Sequence, residues 1–138
     1  MAAGLPVAAT LPVGLTITHR SRFVLSRNAS APMQAWTVVG RVLPLMLNRS
    51  GESAQRTVRQ VQACVTELVE FASSRTVEDS VLGEVWLDQQ HVFVSVEHTQ
   101  PPFVGSRHSM GAVGNISDEH GTHEAQNAYQ TWAAIRID

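Results

Sequence analysis

The chain of 138 residues contains no lysine, so all ten of its basic residues are arginines. These arginines are scattered, and the sequence has no basic run of five or more residues. A surface that binds nucleic acid normally concentrates Lys and Arg on one face, where they neutralise phosphates. Together with a formal net charge of −2, this composition argues against nucleic-acid binding.

Cysteine is nearly absent as well. Cys64 is the single one, so the chain cannot form an internal disulfide and nothing indicates an oxidising compartment. It lies among apolar residues of a predicted helix, where a free thiol packs as a small hydrophobic side chain. A catalytic thiolate would need a nearby base and some exposure, so we interpret Cys64 as a packing residue.

The sequence also lacks an apolar run long enough to span a membrane. Its apolar N-terminus has no positively charged start and is interrupted by Pro6 and Pro12, which makes it a poor signal peptide. We therefore expect a cytoplasmic protein with no membrane partner. Residues 1–18 are expected to form a flexible N-terminal arm, and residues 19–138 a single domain.

The clearest pattern present is a helix predicted over residues 57–74. Its apolar residues recur at steps of three and four, with Val61, Val65 and Leu68 at the centre of the stripe. This spacing puts one side of the helix against a core. Glu67 and Glu70 lie three residues apart, which is more typical of one inward and one solvated carboxylate than of an acid and base pair.

The segment before this helix predicts a strand and a first helix. The strand is expected at residues 21–27. The helix begins near Ser30, which can cap it, and Pro44 is expected to end or kink it because proline removes a hydrogen-bond donor. Residues 45–47 are expected to form a second short segment.

The second half of the chain predicts more strands. Residues 80–88 and 91–98 predict a hairpin, since apolar and other residues alternate strictly along the second of them. Residues 99–127 are interrupted by glycines and prolines and predict an irregular segment, and residues 129–137 predict a closing strand. This order indicates an α+β fold, a two-layer α/β sandwich with a mostly antiparallel, mixed sheet and helices on one face.

On these elements, residues 20–138 resemble the GHKL superfamily, and within it the small bacterial histidine-kinase-like ATPase domains of the anti-sigma-factor type. A Phe-x-Leu strand, at Phe23 and Leu25, precedes a helix rich in Ala, Trp and Val. The motif Glu-Leu-Val-Glu-Phe-Ala at residues 67–72 lies where the family has Glu-Leu-Val-x-Asn-Ala. The hairpin and a closing strand with Thr-Trp-Ala at residues 131–133 resemble the family's C-terminal half. The resemblance implies a Bergerat-like sandwich.

The resemblance also implies a nucleotide pocket, and this chain departs from the family's pattern there. The corresponding positions are Glu67, Phe71, His98, Gln100, Gly111 and Gly114. Glu67 matches the family's base, but Phe71 replaces an Asn that holds Mg²⁺ and offers that ion no oxygen. His98 stands near the position at which the family has an Asp that recognises adenine, and Gln100 stands where the family has a glycine. Gly111 and Gly114 resemble a remnant of the family's phosphate-side glycine motif.

From these departures we expect a degenerate member of the family, a regulatory module that binds a protein and has no cofactor and no efficient ATP hydrolysis. The expected partner is a sigma factor, an anti-sigma antagonist or a second copy of the chain in a homodimer. The main alternative is an active anti-sigma serine kinase that uses ATP and Mg²⁺, with Glu67 as its base.

A third hypothesis is a small-ligand or metal sensor that uses the histidine-bearing segment 99–127. His120 and His123 have acidic neighbours there, but zinc needs three or four ligands at defined spacing, so a solvated polar segment fits better. Ser106, His108 and Ser109 show neither a nucleophile elbow nor the order of a catalytic triad. Core or interface anchoring is expected of the three tryptophans, Trp36, Trp86 and Trp132.

Overall fold

The computed structural model describes residues 20–100 and 110–137, except for the side chain of Ala125. The predicted arm at residues 1–18 and the segment with Ser106, His108 and Ser109 lie outside the described residues. The described elements, in chain order, are β1 (Arg20–Ser26), α1 (Ala31–Leu47), α2 (Glu52–Ser73), β2 (Ser80–Leu87), β3 (His91–His98), α3 (Gly111–Ile116), β4 (Glu119–Ala125) and β5 (Ala128–Arg136).

The strands form one sheet in the order β1-β2-β3-β5-β4, and every neighbouring pair is antiparallel. The helices lie on one face, where α2 packs against β2, β3 and β5 and α1 packs against α2 and β1. The predicted α+β class and two-layer sandwich are therefore confirmed. A core fills the space between the two layers, and its members on the strands include Leu25, Val81, Val94 and Ile135.

Alternation along the strands decides which side chains enter that core. Val92, Val94 and Val96 on β3 are fully buried, whereas their neighbours Phe93 and Glu97 face the other side of the sheet. The hairpin between β2 and β3 is the predicted one. Its connection is held by Asp88, whose carboxylate accepts hydrogen bonds from the backbone N–H groups of Gln90 and His91 at 2.7 and 2.6 Å.

Pro44 does not end α1, because the helix continues to Leu47, and residues 45–47 belong to it and do not form a separate segment. An interior proline costs about 3 kcal/mol. Leu43, Met46 and Leu47 are all buried in the core around it, and each buried side chain of this size contributes about 1.5–3 kcal/mol. This burial outweighs the cost. The helix ends at Asn48 instead, in a left-handed conformation with φ of 52°.

The prediction of an irregular segment over residues 99–127 is wrong for its second half, which forms α3 and β4. β4 pairs with β5 through a tight connection at Gln126, whose φ is 51°. Its side chains are mostly exposed, so they carry no apolar alternation that would mark a strand. The predicted start of the central helix at residue 57 is also wrong, since α2 begins at Glu52 in a polar stretch.

Candidate functional site

The candidate site lies between α2, α3 and the adjoining ends of β3 and β5. Glu67 and Phe71 are one turn apart on α2 and project to the same side of it. His98 is the last residue of β3, and Gln100 follows it directly. Of the six predicted positions, Glu67 contacts the first turn of α3, which begins at Gly111, while Phe71 contacts His98 and His98 contacts Gln100. Gly114 is exposed in α3, away from the ring contacts described below.

Glu67 ties α2 to α3. Its two carboxylate oxygens accept hydrogen bonds from the backbone N–H groups of Ala112, at 2.8 Å, and Val113, at 3.0 Å. These N–H groups belong to the first turn of a helix, where no partner within the helix is available to them. A negative carboxylate at this place also interacts favourably with the helix dipole. Both oxygens of Glu67 are thus engaged within the protein, whereas Glu70 is exposed.

Phe71 fills the space one turn further along α2. Its ring is 6% exposed and meets the imidazole of His98 edge-on, with 5.1 Å between the ring centroids. On another side the guanidinium of Arg75 lies 4.4 Å from the centroid of the Phe71 ring. A cation over an aromatic face is an attractive arrangement, and it strengthens when the pair is withdrawn from water, as here, where Arg75 is 5% exposed.

His98 is buried, and both of its ring nitrogens have partners. Nδ1 lies 2.8 Å from the backbone oxygen of Gln100, and Nε2 lies 2.8 Å from Oγ1 of Thr131. A carbonyl oxygen only accepts, so Nδ1 carries the proton and Nε2 accepts from the Thr131 hydroxyl. Thr131 Oγ1 then accepts from the hydroxyl of Thr122, 2.8 Å away on β4. This chain of hydrogen bonds leaves His98 no nitrogen with which to act as a general base.

Electrostatics favour the neutral form of His98. Desolvation by burial is the main cause that lowers its pKa from the ordinary value of 6.5. The nearby charge of Arg75 lowers this pKa too, while the hydrogen bond to Gln100 acts in the opposite direction.

Cys64 lies on α2, one turn before Glu67. Burial, and secondarily the charge of Glu67, raises the pKa of the Cys64 thiol to about 12, so this residue packs as a thiol.

The sequence predictions missed Arg75, Thr131 and Tyr129. Arg75 also holds residues 99 and 100 in place, because its backbone oxygen accepts from their N–H groups at 3.0 and 2.8 Å. Tyr129 stacks on His98 with 5.7 Å between the ring centroids. Arg75 lies two residues beyond the end of α2, so the four-residue spacing of a helix did not identify its contact with Phe71. The partners on β5 depend on strand register, which no local pattern encodes.

The histidines of the predicted sensor segment do not converge. His120 and His123 lie three positions apart on β4, so they project from opposite faces of the strand. Within residues 20–100 and 110–137, no group of three or more His, Cys, Asp or Glu side chains is placed to hold a metal ion. None of the helices in these ranges combines the length and apolarity needed to cross a membrane.

No model of a known protein family matches this chain, and no curated protein sequence matches it.

Proposed function

We propose that this protein is a regulatory module that binds a protein partner in cytoplasmic sigma and anti-sigma control, on a degenerate GHKL-type ATPase fold without efficient ATP hydrolysis. The motif at residues 67–72 and the predicted order of elements support the family assignment. The observation that carries the loss of catalysis is the Phe71 ring, enclosed by His98 and Arg75 at the position where relatives would present an amide oxygen to Mg²⁺.

The enclosed Phe71 ring makes a Mg²⁺ site at this position unfavourable in two ways. It supplies no oxygen, which a hard cation such as Mg²⁺ requires. It also cannot move aside without a penalty, because exposing a buried side chain of this size costs about 1.5–3 kcal/mol. Phosphoryl transfer depends almost entirely on positioning and charge neutralisation, so the loss of the metal ligand affects catalysis most strongly.

Glu67 is the second argument against the kinase alternative. A general base must reach the proton that it removes, but both carboxylate oxygens of Glu67 accept hydrogen bonds from α3. Releasing them costs about 1.5–3 kcal/mol for each bond, the range for hydrogen bonds to a charged group. Glu67 thereby acts as a link between two helices.

A partner surface is available on α1. Met33 and Trp36 lie one turn apart on this helix and are 63% and 46% exposed. Met and Trp are enriched where proteins bind each other, and a large exposed aromatic side chain often dominates the binding energy. We therefore assign the partner's contact to this part of α1.

Calorimetry with ATP and Mg²⁺ tests the loss of nucleotide chemistry. We expect two polar contacts with the nucleotide and its metal to be lost, and each polar group left without a partner costs about 1–3 kcal/mol. Together they lower the affinity for ATP by about thirtyfold to ten-thousandfold, so we expect no measurable binding at micromolar nucleotide. Micromolar affinity for ATP with Mg²⁺ would overturn the proposal and favour the kinase.

Affinity capture from the native host tests the partner class. We expect the wild-type chain to retain a sigma factor or an anti-sigma antagonist and Trp36→Ser to lose it. Leu45→Ser is the matched control, since Leu45 is 81% exposed on the same helix outside the Met33 and Trp36 pair. Recovery of neither class, or equal recovery with Trp36→Ser, contradicts the assignment.

A further inference from the structure

The seam between α1 and α2 is open to solvent on the side of the helix layer that faces away from the sheet. Trp36, Gly40 and Pro44 follow one another at steps of four on α1, so they form one ridge beside this seam. Gln62 of α2 meets the ridge, because its Nε2 donates a hydrogen bond to the backbone oxygen of Trp36 at 3.1 Å. Gly40 has no side chain, so the ridge is low at its centre, and a Cβ there would lie only 2.6 Å from the same Nε2. We refer to the space between this ridge and residues 55–62 of α2 as the helix groove.

One end of the helix groove deepens into a cavity of about 390 Å³. Pro44, Ala54 and Val58 form its apolar wall, and the exposed Arg59 lies at its rim. Trp36 lies at the other end of the groove, eight positions before Pro44, and its side chain is exposed. At 1.5 Å per residue, roughly 12 Å of helix separates the two ends. The groove therefore offers two apolar contact points at a fixed distance from each other.

The outer side of α1 lacks the charge that a solvated helix normally carries. Arg41 is the only charged residue among the 17 residues of Ala31–Leu47, and the large side chains of Met33 and Trp36 are exposed. A surface helix usually has charged and polar residues on its outer face, whereas a helix that is apolar on all sides is normally covered. The composition of α1 is thus suited to a helix that another molecule covers.

The charge around the helix groove has one sign. Residues 31–66, which comprise α1 and the first turns of α2, contain one carboxylate, Glu52, and four arginines, namely Arg41, Arg49, Arg56 and Arg59. Their net charge is therefore +3, in a chain whose formal net charge is −2. Arg41 on α1 and Arg59 on α2 are exposed, and neither makes an ion pair among the residues that the structure describes.

From these features we infer that the helix groove binds an acidic amphipathic helix of the partner protein. The inference rests on the proposed function, because it extends the partner's contact with α1 to α2. Apolar residues at every fourth position of such a helix repeat the roughly 12 Å spacing of the groove, so one packs against Trp36 and another enters the cavity beside Pro44. The turn between them passes over Gly40, where no side chain keeps it away. Carboxylates on its flanks then approach Arg41 and Arg59.

Two other occupants fit the helix groove less well. A second copy of the same surface would bring a net charge of +3 against +3, and like charges at an interface are strongly unfavourable. A membrane surface is bound by apolar side chains that project into it, whereas this surface is hollow between two helices. Charge and shape therefore both favour an acidic helix.

Fluorescence anisotropy with synthetic peptides tests the inference on the full chain. The acidic probe is a labelled helical peptide of about 16 residues, with leucines at every fourth position and glutamates on its other faces. The basic probe has lysine in place of each glutamate. We expect the acidic probe to bind with a dissociation constant of roughly 100 µM or lower, and the basic probe to bind at least about tenfold more weakly.

Arg59→Glu should weaken binding of the acidic probe by about tenfold and strengthen binding of the basic probe, because it reverses the charge at the cavity rim. Arg136→Glu is the matched control, since Arg136 is exposed on β5 in the sheet and its reversal should change neither affinity. Trp36→Ser should also weaken binding of the acidic probe. Leu45→Ser should not, because Leu45 is exposed on α1 but does not line the cavity as its neighbour Pro44 does.

Absence of binding by the acidic probe, equal binding of the two probes, or an affinity that Arg59→Glu leaves unchanged overturns the inference. Vesicles of phosphatidylserine and phosphatidylcholine are the third probe. Retention of the chain on these vesicles without binding of the acidic probe assigns the groove to a membrane surface and also overturns it.

Affinity capture judges the proposed function separately from the helix groove. A sigma factor or anti-sigma antagonist that is lost with Trp36→Ser but retained with Arg59→Glu contradicts the groove and leaves the proposed function standing. Binding of the acidic probe that Arg59→Glu weakens, with neither partner class captured, supports the groove and contradicts the proposed function.

Discussion

The Phe71 ring meets the His98 imidazole at a right angle, with 5.1 Å between the two ring centroids. This contact joins the C-terminal end of α2, the domain's long helix, to the C-terminal end of its central strand, β3. Arg75 lies over Phe71 and Tyr129 stacks on His98, so four side chains form one layered cluster. The cluster occupies the position at which the resemblance to the GHKL superfamily would place a magnesium ligand, and all four of its side chains are buried or half-buried.

Phe71→Ala should lower the free energy of unfolding by about 3–5 kcal/mol, because a large buried side chain is lost and a cavity remains. Phe71→Leu keeps much of the apolar volume but loses the ring contacts with His98 and Arg75, and it should cost about 1–2 kcal/mol. Urea unfolding measures both values. A loss below about 1 kcal/mol for Phe71→Ala would mean that the ring does not hold the site together.

Glu67→Ala should release the first turn of α3. The N–H groups of Ala112 and Val113 lose their acceptor, and at about 1.5–3 kcal/mol for each bond we expect a loss of about 3 kcal/mol or more, together with faster hydrogen exchange at these two amides. Glu70→Ala is the control, since Glu70 is exposed on the same helix and should change stability by less than about 0.5 kcal/mol. Unchanged exchange at both amides in Glu67→Ala would contradict the link between the helices.

Gly83→Ala should destabilise the protein by about 1–3 kcal/mol or more through overpacking. A methyl group on Gly83 would come within 2.2 Å of the Phe23 ring, which lies directly over it between β1 and β2. Gly114→Ala is the matched change, because nothing lies within 4 Å of the added group. There, the better helix propensity of alanine should stabilise by about 0.5–1 kcal/mol. Equal effects of the two variants on thermal unfolding would contradict this packing.

His98 should make the protein less stable in mild acid. Its pKa in the folded protein is below the ordinary value of 6.5, so the unfolded chain binds more protons and stability falls as pH decreases below 6.5. His98→Gln keeps a donor and an acceptor but cannot titrate, so it should flatten this part of the pH dependence. His120→Gln, at an exposed position on β4, should not. An unaltered pH profile in His98→Gln would show that His98 is not the responsible group.

The regular spacing of apolar residues made the main helices and strands predictable from the sequence. The spacing of Val61, Val65 and Leu68 identified α2, and the alternation of Val92, Val94 and Val96 identified β3 and its buried face. In both cases the period depends only on the geometry of a few neighbouring residues. The α+β class followed from the order of such elements.

The predictions failed where a segment owes its structure to distant residues. β4 carries no apolar alternation, and it forms because β5 offers an unpaired backbone edge. The continuation of α1 through Pro44 depends on the core around Leu43 and Met46. Neither influence is visible in the local pattern of residues.

The local residue pattern was therefore sufficient for the existence of α1 and α2 and for the hairpin, but not for α3. Packing alone decided that Glu67 binds the backbone N–H groups of Ala112 and Val113, which follow it by 45 and 46 positions in the chain. It also decided that His98 is enclosed by Arg75 and Thr131. It also decided that Arg20 on β1 and Glu119 on β4 lie at opposite edges of the sheet. The physical reason is that backbone geometry sets a period within one element, whereas contacts between elements depend on how the complete chain buries its apolar surface.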